Sequence, residues 1–362
     1  YQNSIAALTG VRVDVASLPA DGGGGTFDTE GASQFISSDQ IEQYLKLGRS
    51  AIGELFERQV AAGQEMKTFR VEPENTVNVL SREAIATLEG THKRFQLWKA
   101  EVDKAIAAPE NREIMAKLLK ENPEYDPSTY PSAGGLRFYR NASELIGAPD
   151  PKAFGFTDDN QAVFSAQAGY GRTHAYRKQY LEFPNSDRGT YLKLAWGIQR
   201  IDITPDPEDL PPGTYKLRIR AGSVKGSDPS RHFIEVGHPQ RVNQVPAGFA
   251  GKPLASLQVT GREESPEIIE TTLTIGSKTP REFGIQERRP EGNQKTLSRE
   301  FYRYKAENGY GTPPAIWVDW IELVGPIPDN EAVESKLTRV EPEKTINPNN
   351  EKQIASIEDE YA

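Results

Sequence analysis

The chain has 362 residues, 36% of them hydrophobic and 26% charged, a formal net charge of −9 and no cysteine. The missing cysteines exclude disulfides, zinc–thiolate sites, a cysteine nucleophile and covalent haem attachment through C-x-x-C-H. The acidic balance argues against nucleic-acid binding by bulk electrostatics, and no run approaches the roughly 20 apolar residues of a membrane span.

Fourteen Phe, 14 Tyr and 4 Trp can fill real cores, so the length reads as roughly two domains of ~100–200 residues each. Residues 1–9 look like a helix already in progress, stopped by Gly10, and the chain is expected to be an internal piece of a longer protein. A loop with Asp21-Gly22-Gly23-Gly24-Gly25 follows. It lacks the Lys and Ser/Thr of a phosphate-binding loop. It reads as a turn whose glycines permit positive φ, with Asp21, Asp28 and Glu30 as an alternative oxygen set for a hard cation. Ser37-x-x-Gln40 suits a capping box. After it Ile41, Leu45, Ile52, Leu55, Phe56 and Val60 recur at helical spacing, which predicts an amphipathic helix up to Gly63 with that stripe inward.

Residues 67–80 read as extended or irregular. A long helix is predicted after Ser81, with Ile85, Leu88, Phe95, Trp98, Val102 and Ile106 on one stripe, a restart at Pro109 and an end at Asn122-Pro123. A Pro/Gly loop fills 123–135, and Thr173 to Phe183 is read as a short helix. From Pro184 the period changes to two. In Tyr215-Lys-Leu217-Arg-Ile219-Arg-Ala221 one face is apolar and the other carries Lys216, Arg218 and Arg220. Further strands are predicted at 190–203, 231–237, 254–260, 267–275, 281–287, 299–305 and 315–324, separated by glycine turns. Residues 329–362 hold nine acidic and four basic residues. The expected architecture is therefore α+β: a helical domain at 1–135, a mixed helical and irregular connector at 136–183, an antiparallel β-sandwich at 184–328, and an acidic extended tail at 329–362 acting as linker or strap.

Two resemblances refine this. Tyr1-Gln-Asn3-Ser-Ile5-x-x-Leu8-x-Gly10-Val11, Leu18-Pro19-x-Asp21, Phe27-Asp28-x-x-Gly31 and the helix carrying Tyr44-Leu45 resemble the N-terminal domain of large secreted planctomycete-type proteins of unknown function, which often follows a c-type cytochrome domain. Tyr180-Leu181-x-Phe183-Pro184, Arg188-Gly189-x-Tyr191-Leu192 and Trp317-Val318-Asp319-Trp320-Ile321-Glu322-x-x-Gly325-Pro326 resemble the middle of the same proteins. The resemblance implies a periplasmic, cell-surface or extracellular protein with further domains, and a haem domain, if present, outside these residues. Separately, Gly213-Thr-Tyr215-Lys-Leu217-Arg-Ile219-Arg and Trp317-x-Asp319-Trp320-Ile321 resemble carbohydrate-binding-module sandwiches of jelly-roll type. That resemblance implies a structural calcium at Asp319, with Glu182 and Asp187 as partner acids.

The aromatic residues Tyr191, Trp196, Tyr302, Tyr304, Tyr310, Trp317 and Trp320 all fall in the predicted sandwich. A sugar ring offers an apolar face to an aromatic ring and a hydroxyl rim to polar groups. Tyr302, Tyr304, Asn308, Tyr310 and Trp317 form the candidate glycan site, with Tyr310 as the ring expected to be most exposed. Asp206, Glu208 and Asp209 read as a solvated acidic turn. Asp319 and Glu322, three apart on a strand, are expected on opposite faces and so unsuited to act as one acid/base pair. His92, His174, His232 and His238 stand without an adjacent carboxylate or serine partner, and no G-x-S-x-G elbow occurs. The leading functional reading is a non-catalytic segment that binds a polysaccharide or cell-surface glycan. The alternatives are a structural module docking further domains or other subunits of an extracytoplasmic complex, and part of a haem-linked redox or polysaccharide-degrading enzyme whose centre lies elsewhere.

Overall fold

Alternation of apolar and polar residues sends every second side chain of a strand to one face, and two such faces build the main core. A computed structural model of the protein describes residues 2–15, 18, 38–63, 65–157, 160–194, 200–242, 245–289 and 294–327. The tetraglycine loop, Ser37 of the expected capping box, Trp196 and the acidic tail lie outside these residues. In chain order the elements are α1 (Gln2–Thr9), α2 (Ser38–Ala62), β1 (Lys67–Val71), α3 (Val77–Ala107), α4 (Arg112–Glu121), α5 (Ala133–Phe138), α6 (Asn160–Glu182), β2 (Thr190–Tyr191), β3 (Arg200–Ile203), β4 (Gly213–Ser223), β5 (Phe233–Gly237), β6 (Pro239–Val242), β7 (Val245–Phe249), β8 (Ala255–Gln258), β9 (Glu267–Ile275), β10 (Phe283–Glu287), α7 (Gln294–Asn308) and β11 (Ile316–Ile327).

One sheet runs β1–β11–β4–β9 with β2 also on β11, the other runs β3–β10–β5–β8, and β6–β7 is a hairpin. All pairings between these strands are antiparallel. The layers have five and four strands, and the chain alternates between them from β2 to β5 and again from β8 to β11, as in a jelly roll. Leu217, Ile219 and Ala221 of β4 and Ile321 and Leu323 of β11 meet Ile201, Ile234, Val236, Phe283 and Ile285 of the facing layer in one core. The edge of β11 is taken in turn by β2, at Trp317, and by β1, at Ile321–Gly325. Of the two readings of 67–80, the extended one holds at its start: Lys67–Val71 gives the sandwich a strand, and α3 then begins at Val77, earlier than the expected start after Ser81.

Helices α3 to α6 enclose a second, aromatic core around Phe95, Trp98, Phe138 and Tyr139. Other expectations need correction. The segment 299–305 is helix α7, not a strand: Leu297 and Phe301, four apart, bury one side. The short helix at 173–183 is the end of the 23-residue α6. Of the expected inward stripe of α2 only Leu55 faces inward. Ala51 with Leu47 and Leu55 packs on Val11 and Val13, while Ile41, Leu45, Ile52, Phe56 and Val60 are exposed, up to 70% at Val60. Small Ala51 permits the closer approach, so that side of the helix makes the contact.

Candidate functional site

A polar cleft of about 540 Å³ lies on the outer face of the sheet that contains β4 and β11. Its floor is Trp317 and Asp319 of β11 with Arg220 of β4; one wall is Asn185 and Arg188, and the other is Glu263, Glu264 and Pro266. The register of β11 against β4 shifts between Val318 and Trp320. Such a bulge switches which residues face the core. Ile316 and Val318 point inward before it, and Ile321 and Leu323 after it. Asp319 and Glu322 therefore share the outer face, where Asp319 binds Arg220 and Glu322 accepts from Arg218 and Arg70, each at 2.9 Å. The expectation of opposite faces assumed an unbroken strand period.

Both walls are held by buried groups. Asn78, at the start of α3, donates to the carbonyls of Ser186 and Gly189 at 2.8 and 2.9 Å and accepts from the Thr190 hydroxyl at 2.6 Å. The turn 185–190 is thereby tied to the helical unit. Asn185 donates to Glu263 at 2.6 Å and its carbonyl accepts the Trp317 indole N–H at 2.9 Å. Glu263 also accepts from the Tyr191 hydroxyl, and Arg188 donates to Asn185. Burial, and then Glu263, push the Tyr191 hydroxyl well above its ordinary pKa, so it stays a donor. Glycine makes the close approaches possible. A Cβ at Gly189 would lie 2.4 Å from the Val318 carbonyl oxygen, and one at Gly222 would lie 2.3 Å from the Arg262 backbone.

Beneath the cleft Tyr176, Tyr180, Tyr191, Phe301 and Trp317 form a buried aromatic cluster. Lys193, 2% exposed, places its Nζ 4.9 Å from the Tyr180 ring centroid. Burial, with the nearby Arg177 second, lowers its pKa to about 7. The Nε and Nη1 atoms of Arg177 are buried without hydrogen-bond partners. Close by, Arg231 forks onto Glu287 at 2.7 and 3.1 Å and donates to the Pro313 carbonyl at 2.9 Å. Burial raises the Glu287 pKa against the opposing pull of Arg231.

Of the residues expected from sequence, Trp317 and Asp319 come together in the cleft. Trp317 is 3% exposed, so its ring is a floor and not an open platform. Asp187 stands in the turn 185–190. Glu182 ends α6 with its carboxylate 3.9 Å from Lys178. Asp319 thus faces a guanidinium, and among the described residues no group of three or more His, Asp or Glu is placed to hold a metal ion.

The remaining candidate residues lie on α7 and just beyond its end. Tyr302 and Tyr304 lie on α7 two residues apart, a spacing that sends side chains to different faces of a helix. Asn308 spends its side chain on the helix end, accepting from the Tyr310 and Gly311 amides at 3.0 Å each and donating to the Gly311 carbonyl at 2.8 Å. Tyr310 packs edge-on to Phe183 with centroids 6.2 Å apart. Tyr302, at 49%, is the exposed ring. The histidines gain partners through the fold: His174 meets Glu89 at 2.9 Å, and His232 meets Ser227 at 2.7 Å.

Sequence reading missed Asn78, Asn185 and Glu263. The side-chain partners of Asn78 and Glu263 are 70 or more positions away, and Asn185 reaches Glu263 across 78, so no local pattern marks the set. Arg220 was visible only as part of the charged face of its strand, and Arg188 only within a resemblance motif.

A family model described as PSD3, a protein of unknown function (DUF1587), matches residues 1–57, which span α1 and most of α2. This is consistent with the planctomycete-type multi-domain resemblance of the N-terminus. No curated protein matches the chain in sequence. Among solved structures, the Arthrobacter globiformis T6 isomalto-dextranase complexed with panose is similar at a TM-score of 0.19 and 13% identity, over 34% of this chain and 15% of that one.

Proposed function

We propose that this segment is a glycan-binding module and that the cleft around Asp319, Arg220 and Glu263 is its binding site. The observation that carries the reading is the chemistry of the lining. Two guanidiniums, three carboxylates and a carboxamide face one space of about 540 Å³, within the ~300–1,000 Å³ usual for ligand sites. A sugar hydroxyl both donates and accepts, so donors and acceptors side by side suit a polyol better than a single-charge ligand does. Carboxylates outnumber guanidiniums, which disfavours phosphate or nucleic acid. Asp319 and Glu263 are each engaged by donors, which supports holding a ligand over transferring protons. The resemblance of the N-terminus supports a secreted or cell-surface parent with further domains.

The test is a polysaccharide pull-down and glycan array with the full 362-residue chain. Binding of one glycan class is expected. Glu263→Gln and Arg188→Ala should each weaken it roughly tenfold or more, from the loss of a charged hydrogen bond worth ~1.5–3 kcal/mol. A folded chain that binds nothing on a broad panel would end this reading.

A further inference from the structure

The charge left unpaired in the polar cleft lies on one wall. That wall is a fixed turn: the Glu263 amide donates to the Ser223 carbonyl at 3.0 Å, and Arg262 and Ser265 exchange backbone bonds at 3.2 and 2.9 Å. The two donors of the Glu263 carboxylate, the Asn185 carboxamide and the Tyr191 hydroxyl, bind the same oxygen, Oε1, and both are neutral. Its Oε2 has no donor among the described residues. Glu264, next along the wall, is exposed and has neither an ion pair nor a hydrogen bond among them. The two cations of the lining are engaged elsewhere, Arg220 on Asp319 and Arg188 on the side-chain oxygen of Asn185.

A second group responds to the same negative field. Glu74, in the turn 73–75 ahead of α3, has a buried Oε2 without a hydrogen-bond partner. Burial first, and behind it the charges of Glu72 and Asp319, raise its pKa. Asp319 therefore still acts as a negative charge on its surroundings although Arg220 is bound to it. A sugar hydroxyl brings one neutral donor to such a lining, an acetamide one, and a sugar carboxylate none. An ammonium brings three donors and a full opposite charge.

We propose, on the glycan-binding reading of the cleft, that the ligand is an amino-sugar polymer with free amines, one ammonium of which is held by Glu263 Oε2 and Glu264. The test titrates the full 362-residue chain with oligomers of glucose, N-acetylglucosamine and glucosamine, matched in linkage and length. It is run at roughly pH 5.5, well below the range in which amines release their protons. The glucosamine form should bind at least about tenfold tighter than the other two, the size of one charge-assisted hydrogen bond, and the ratio should shrink in salt. Glu264→Gln should cut that ratio to about threefold or less, by the loss of one charged acceptor. Glu264→Asp should keep most of it, and Glu113→Gln on α4, outside the cleft, should leave it unchanged. Equal affinity for the three forms, or a preference for a neutral one, overturns the proposal and leaves the glycan-binding reading standing. An amine preference that survives both Glu264→Gln and Glu263→Gln also overturns it, because the ammonium then sits elsewhere. Failure of all three forms to bind overturns it as well, and the broad glycan panel then decides the glycan-binding reading by itself.

Discussion

Lys193 offers the sharpest test of the energetics beneath the cleft. An unfolded lysine holds its proton up to about pH 10.4; the folded chain releases it at about 7. Between these values the unfolded state binds one more proton than the folded state. Stability must then rise with pH, by about 1.4 kcal/mol per unit. Below pH 7 both states are protonated, and the fold carries the full penalty of a buried ammonium, roughly 4–5 kcal/mol over some three and a half units. Its position over the Tyr180 ring returns about 1 kcal/mol of this. Lys193→Met keeps the volume and removes the charge. The variant should be more stable than the parent by roughly 3–4 kcal/mol at pH 6, and the advantage should shrink steadily between pH 7 and 10. Urea unfolding at several pH values, followed by tryptophan emission, reads both quantities. Parallel stability profiles for parent and variant would refute the reasoning, because they would mean that Lys193 titrates alike in both states.

Glu287→Gln should cost about 3–5 kcal/mol, since it strands the Arg231 charge in the interior; the urea midpoint at pH 7 measures this. Gly189→Ala forces a methyl against the Val318 carbonyl and the Trp317 ring, so a loss of about 1–3 kcal/mol or more is expected, with a changed tryptophan spectrum because the cleft floor shifts. Burial raises the hydroxyl pKa of Tyr139, Tyr180 and Tyr191, and lifts Tyr215 to about 12. These tyrosines keep protons that the unfolded chain gives up, so stability falls as pH climbs past about 10. Tyrosinate absorbance should appear in two classes, the later one coinciding with loss of secondary structure.

The sandwich was legible wherever a strand has one dry face. Tyr215, Leu217, Ile219 and Ala221 alternate with Lys216, Arg218 and Arg220, and the structure pairs that strand on both sides. Legibility failed where local pattern and tertiary context part. Aromatic residues at 301, 302 and 304 carry strand propensity, yet the i, i+4 pair Leu297 and Phe301 finds a core and fixes a helix. On α2 the stripe was correctly seen as apolar, but apolar character alone does not say which side of a helix has a neighbour. Half of the cleft was readable: Trp317 and Asp319 sit in a recognisable strand. The other half consists of turns distant in the chain, Asn185 meeting Glu263 across 78 positions and Trp317 across 132, and the bulge at Asp319 leaves no mark in composition.

The pairing of β1 with β11 also determines how the protein responds to being pulled. Lys67 begins β1 opposite Gly325, close to where β11 ends, so the start of β1 and the end of β11 lie at the same end of the sheet. Tension applied between those two points does not shear the pair. It opens the ladder from one end, loading each backbone bond alone, at a net worth of only ~1 kcal/mol apiece. The strand that completes the sheet is therefore the one that unzips first under load, with the facing layer and the helical unit still intact behind it.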